Sequence, residues 1–177
     1  MLKKRVSASI IVRDGIAVQS FGFNSYLPIG DPLICAKNYD RWGADEILIT
    51  DISATVNCLG PNIDLITEIG NASISTPLIY AGGICTPQHA SHVLSLGFER
   101  VAVTSQFIDD PESIFAISSL VGAQAVIISL PLVINSDNAL LYDYRTKSHI
   151  PFPTDTLNKL FNELAFSELL LLSVDSD

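Results

Sequence analysis

Gly43-Ala44-Asp45-Glu46-Ile47-Leu48-Ile49-Thr50-Asp51 is the stretch on which the fold turns. A glycine that can end a helix is followed by a charged residue and then a short, near-continuous apolar run. Such a run is too short for a helix and reads as a strand buried on both faces of a parallel sheet. It has an echo near the other end of the chain, Ala165-Phe166-Ser167-Glu168-Leu169-Leu170-Leu171-Leu172-Ser173-Val174-Asp175. Both stretches follow a helical segment, open a strand on Glu and place Asp near its end. In Leu/Ile-rich strands such an echo is common by chance, so its weight depends on the segments around it.

Working outward, the same kind of run recurs at Arg5–Val12, Pro77–Tyr80, Arg100–Thr104 and Ala125–Leu130, which with Glu46–Asp51 and Glu168–Val174 makes six strands. Segments of helical period lie between them. Asp31-Pro32 opens one that runs to about Arg41, an N-cap followed by Pro at the first helical position. Asn62–Gly70 is the second. Thr86-Pro87 opens a third that ends at Gly97, Asp110-Pro111 a fourth that ends near Gly122, and Thr154–Leu164 is the fifth. Strand–helix alternation of this kind predicts βα units around a parallel sheet with right-handed crossovers. Residues Asn135–Phe152 break the pattern. They are polar, with a turn at Asn135-Ser136-Asp137-Asn138, and Ala139–Tyr144 alternates enough for a small hairpin arm.

The bulk numbers agree with one globular domain over residues 1–177: 48% hydrophobic residues against 16% charged ones. A net charge of −9 argues against a nucleic-acid partner, which wants a basic face. No apolar run reaches the roughly 18 residues of a membrane span, and no signal-peptide pattern follows the N-terminal charges. Three cysteines, Cys35, Cys58 and Cys85, show no CxxC spacing and read as reduced thiols of a cytoplasmic protein. His89 and His92 are three apart on one helix, but neither they nor His149 have a third ligand at metal spacing. No metal and no cofactor are expected.

The run from Met1 to Gly15, Lys3-Lys4-Arg5, Gly30-Asp31-Pro32, the block Gly43 to Thr55, Ala81-Gly82-Gly83-Ile84 and Gly122-Ala123-Gln124-Ala125-Val126 stand in an order and spacing that resembles the cyclase subunit of imidazole glycerol phosphate synthase. The resemblance extends over essentially the whole chain. It implies an α/β fold of (βα)₈ TIM-barrel type. Six units fall short of the eight that close a barrel of about 250 residues, so the sequence is expected to be a piece truncated to about six units. In that family a glutaminase docks at the bottom face, and ammonia travels through the barrel to a phosphosugar at the top.

Against that family the top of this barrel is altered. The resemblance places catalytic aspartates at Ile11 and Pro131, and neither side chain can move a proton. Gln19 stands for a substrate-contacting Lys, and Thr104-Ser105 for the Asn-Thr of a phosphate site. Gly82-Gly83 and the carboxylates Asp51, Asp175 and Asp177 remain. The glycines let backbone N–H groups approach a phosphate, or simply turn a strand into a loop. Asp51 reads equally as a cap for the next segment.

The bottom is kept. Arg5, Glu46, Arg100 and Glu168 each begin a strand, and the resemblance makes them the charged gate through which ammonia enters, with Arg100 in place of a Lys. Charged strand starts that form a fold-stabilising ion pair are the alternative. The expected function is therefore an accessory subunit that conducts ammonia from a glutaminase to a sugar-amidating enzyme, as in glycosyl-amidation-associated paralogues of surface-polysaccharide biosynthesis. The rivals are a phosphosugar cyclase or lyase using Asp51, Asp175 and Asp177, and a phosphate-binding scaffold.

Overall fold

The computed structural model describes residues 4–56, 59–135 and 138–174. In chain order its elements are β1 (Ser7–Arg13), β2 (Ile16–Phe21), β3 (Ser25–Gly30), α1 (Pro32–Arg41), β4 (Glu46–Asp51), α2 (Ile52–Val56), α3 (Ile63–Gly70), β5 (Leu78–Ala81) and α4 (Pro87–Ser95). There follow β6 (Arg100–Val103), α5 (Ser105–Asp109), α6 (Ser113–Val121), β7 (Val126–Asn135), β8 (Asn138–Asp143), β9 (Ser148–Pro151), α7 (Thr154–Asn162) and β10 (Glu168–Ser173). The fold is α/β of TIM-barrel type: β1, β4, β5, β6, β7 and β10 pair in that order, all parallel.

The helices start where the sequence chemistry puts them. The Asp31 carboxylate accepts from Ile34 N at 3.0 Å, Asn62 Oδ1 from Leu65 N at 3.2 Å and the Thr86 hydroxyl from His89 N at 3.2 Å. Each bond satisfies one of the N–H groups that a helix start leaves without a partner. Asp110-Pro111 does not cap a helix in this way. Asp110 closes the short α5, and α6 begins three residues later at Ser113 without a side-chain cap. The fifth helix ends at Asn162, two residues short of the expected Leu164.

Alternation along the strands splits the apolar residues in two. Ile47, Ile49, Tyr80, Val101, Val103, Val126 and Ile128 face outward and join the buried faces of the helices in one core. Leu48, Ile79, Ala102 and Ile127 face inward and form a separate cluster, with Ala81 and Leu170 against it. Two layers on one sheet are the signature of strands wrapped around an interior.

Two antiparallel hairpins extend this frame. β1 turns at Asp14-Gly15 into β2, which pairs with β3. This arm was not expected from the sequence. β7 runs five residues beyond the expected end at Leu130, and β8 takes over the edge that β6 leaves at Ile128. Leu132 pairs with Ser173 on one side and Leu141 on the other, which places β8 opposite β10.

β1 and β10 flank the seam. Among the described residues β10 pairs only with β7, and Leu169 and Leu171 on it are 46% and 59% exposed. Bare strand edges with apolar side chains recruit other chains. The 177-residue chain is therefore expected to self-associate; light scattering after gel filtration that shows a monodisperse monomer at high concentration would contradict this.

Candidate functional site

The four residues Arg5, Glu46, Arg100 and Glu168 meet at the end of the barrel where the strands start. Arg5 Nη2 donates to Glu168 Oε1 at 2.6 Å, and Arg5 Nη1 lies 3.4 Å from Glu46 Oε2. Arg100 Nη1 lies 2.8 Å from Glu168 Oε2, and Arg100 Nη2 donates to Glu46 Oε2. Each cation thus touches both anions, and the alternating charges close into a ring. The ring is graded in depth. The side chains of Glu46 and Arg100 are 11% and 12% exposed, whereas Glu168 and Arg5 reach 37% and 48%. The two inner charges must stay paired, because a lone buried charge is costly.

Burial pushes the Glu168 carboxyl upward, but the hydrogen bond from Arg5 and the field of Arg100 outweigh it, so it lies below the usual carboxylate range. Arg5 is raised in turn, chiefly by its bond to Glu168. A carboxylate lowered by folding contributes stability above its unfolded pKa and loses it as pH falls through the folded one. The melting temperature of the wild type should thus exceed that of Glu168→Gln near neutrality, with the gap closing on acidification. A gap independent of pH would contradict this.

One residue pair up each strand, the surroundings change. Glu46, Arg100 and Glu168 are followed at the second position by Leu48, Ala102 and Leu170, about 7 Å higher at strand rise. These three are also floor residues of a cavity of about 340 Å³ at the opposite, loop-bearing end of the barrel. Ile79 and Ile127, also inward but outside the cavity lining, complete the apolar interior between the ring and the cavity. Gly82, Gly83, Thr104, Ser105 and Asp51 line the cavity, as do Thr50, Ser129 and Pro131. Its upper rim comes from the two hairpins: Arg13, Phe23 and Tyr26 on one side, Tyr144, Arg145 and Lys147 on the other.

Several of these residues are already engaged. Asp51 is 2% exposed; its Oδ1 accepts from Ala54 N at 3.0 Å and its Oδ2 from Asn62 Nδ2 at 3.2 Å. It starts α2 and ties that helix to the start of α3. Gly83 N–H donates to Thr55 Oγ1 at 3.0 Å. A Cβ on Gly83, at φ +64°, would stand 2.2 Å from the Gly60 carbonyl oxygen, and one on Gly82, at φ +134°, 2.4 Å from that of Asp51. Close backbone approach thus requires both glycines. Ile11 is half-buried in β1, where it pairs with Val18 and Thr50. Pro131 lies between the end of β6's pairing at Ile128 and the start of β8's at Leu132, where a missing N–H costs least. Gln19 is exposed on β2, away from the cavity lining.

Asp175, Asp177 and Cys58 lie outside the described residues. Cys85 N–H donates to His89 Nδ1 at 3.3 Å, and the His149 ring lies against Tyr142. Among the described residues no three His, Cys, Asp or Glu side chains gather in a metal-binding set. Among them, too, no helix is long and apolar enough to cross a membrane.

Sequence reasoning missed the rim. Arg13 ends β1 beside the Asp14-Gly15 turn, and Tyr144, Arg145 and Lys147 lie on the turn of the hairpin arm expected at Ala139–Tyr144, but nothing local in either segment announces that it lines a cavity.

This architecture has relatives. A Vibrio vulnificus protein provisionally named imidazole glycerol phosphate synthase subunit hisF2 is 32% identical over 177 residues, covering the whole of this chain and 65% of its own length. A Leptospira interrogans protein, provisionally named imidazole glycerol phosphate synthase subunit HisF, is 32% identical over 181 residues, with 70% of its length covered. Imidazole glycerol phosphate synthase subunit HisF of Thermococcus gammatolerans is 28% identical over 177 residues, again with 70% covered. The chain thus spans about two thirds of the length of these relatives. The family model described as histidine biosynthesis protein matches residues 5–177, from the first ring residue onward, and the chain belongs to that family.

Proposed function

We propose that the protein is a conduit subunit. It takes ammonia from a glutaminase docked where the strands start and passes it through the barrel to an acceptor enzyme, without cyclase chemistry of its own. The observation that carries this reading is a closed charge ring at one end of the barrel and a cavity at the other, with only the apolar interior residues between them. Neutral ammonia can cross Leu48, Ala102 and Leu170; an ammonium ion would lose its hydration there. Arg5, the most exposed member of the ring, is the residue placed to move aside.

The missing acid–base pair at Ile11 and Pro131 points the delivered ammonia to another enzyme. An acceptor that amidates a sugar in surface-polysaccharide biosynthesis, in the cytoplasm, is the partner this reading adopts. A phosphosugar cyclase or lyase, or a phosphate-binding scaffold, is the second reading, and the polar lining of Gly82, Gly83, Thr104 and Ser105 is what favours it.

The test is co-purification of the protein with a glutaminase, followed by glutamine hydrolysis with and without it. Stimulation of at least about tenfold is expected. A glutaminase equally active alone, with no complex formed, would contradict the reading.

A further inference from the structure

The β8–β9 turn reaches over the cavity, and its attachment there differs from that of its base. At the base, Leu141 and Asp143 are 1% and 4% exposed and β8 is paired with β7. At the tip, Thr146, Lys147, Ser148 and His149 are exposed, and β9 pairs only with β8 among the described residues. The tip is held by polar contacts. Arg145 Nη1 and Nη2 donate to Asp109 Oδ2 and Oδ1 at 2.5 and 2.8 Å, a two-pronged grip on the end of α5. The same guanidinium donates to Asp143, from Nε to Oδ1 and from Nη2 to Oδ2, both at 3.0 Å. Arg145 N–H adds a third bond to Asp143 Oδ1 at 3.0 Å. Next to it, Tyr144 is half-buried and lines the cavity together with Thr55. Tyr142 meets Phe23 of the other hairpin edge-on, with ring centroids 6.2 Å apart.

We propose that the β8–β9 turn is a lid on the upper cavity and that Arg145 is its latch, a positioning residue that holds Tyr144 and Lys147 over the cavity by bridging Asp109 and Asp143. Both faces of the guanidinium fork are spent on carboxylates, so Arg145 serves geometry rather than an incoming anion. The planar fork matters: an ammonium is a point charge and cannot grip two carboxylates at these angles. A buried base with an exposed, polar tip is the build of a segment that opens locally while the barrel stays folded. The lid does not depend on what passes beneath it.

The full chain labelled with 3-fluorotyrosine tests this by ¹⁹F NMR. It contains five tyrosines, and Tyr144→Phe and Tyr80→Phe identify two of the resonances. In Arg145→Gln the Tyr144 resonance should move toward that of free fluorotyrosine, with its H₂O-to-D₂O shift at least doubled. The resonance of the buried Tyr80 should stay in place. Arg145→Lys should behave like Arg145→Gln, and about 1 M salt, where the screening length is ~3 Å, should move wild type part of the way. Asp109→Asn alters only the half-exposed end of the latch and should also release Tyr144. It decides the matter if Arg145→Gln loses the Tyr80 signal. A Tyr144 resonance unchanged in Asp109→Asn, or restored by Arg145→Lys, would overturn the proposal.

Discussion

Cyclisation of the imidazole glycerol phosphate synthase type, driven by free ammonia, is expected to be undetectable in this protein. The resemblance assigns the proton-moving positions to Ile11 and Pro131, and each lost acid or base typically costs a factor of roughly 10² to 10⁴. No described neighbour stands in for them. Asp51, the nearest carboxylate in the cavity, is committed on both oxygens to Ala54 and Asn62. Taking up a proton there would weaken the acceptor bonds that hold α2 and α3. Ammonia-dependent turnover within tenfold of a competent cyclase would contradict this, and would shift the reading to a phosphosugar enzyme.

The second large effect is on stability. Arg100→Met should cost about 3–5 kcal/mol, because it leaves Glu46 with a single half-exposed partner in a site that is nearly dry. Arg5→Ala removes a half-exposed cation and should cost about 0–1 kcal/mol. The contrast follows from depth in the ring and not from the number of bonds, since both arginines touch both glutamates. Urea unfolding of the two variants beside wild type measures it. Equal losses would mean that the ring is an ordinary solvated ion-pair cluster.

The parallel strands were legible because each is a short Val/Ile/Leu-rich run, and burial on both faces demands that composition. Ring geometry was legible for the same reason. Once the strands are parallel, their starts share one end: Glu46, Arg100 and Glu168 open β4, β6 and β10, and Arg5, expected to open β1, stands two residues before it. The β2–β3 arm was missed although Asp14-Gly15 carries the two positive φ angles, +52° and +79°, of a hairpin turn. The short α2 and α5 have five residues each, too few to show a helical period. The latch was out of reach because Asp109 and Arg145 are separated by 36 positions, and nothing local in either segment calls for the other.

Glutamine carrying ¹⁵N in its amide group, supplied to the complex of this protein with its glutaminase and acceptor in the presence of unlabelled ammonium, tests the central claim most directly. The conduit account predicts that wild type delivers mostly ¹⁵N to the amidated product, whatever the ammonium in solution. In Arg5→Ala, at unchanged melting temperature, glutamine hydrolysis should continue while the product takes its nitrogen from solution. An Arg5→Ala protein that still delivers ¹⁵N at wild-type stoichiometry would contradict the gate, and a wild type whose product follows the solution ammonium would contradict the conduit itself.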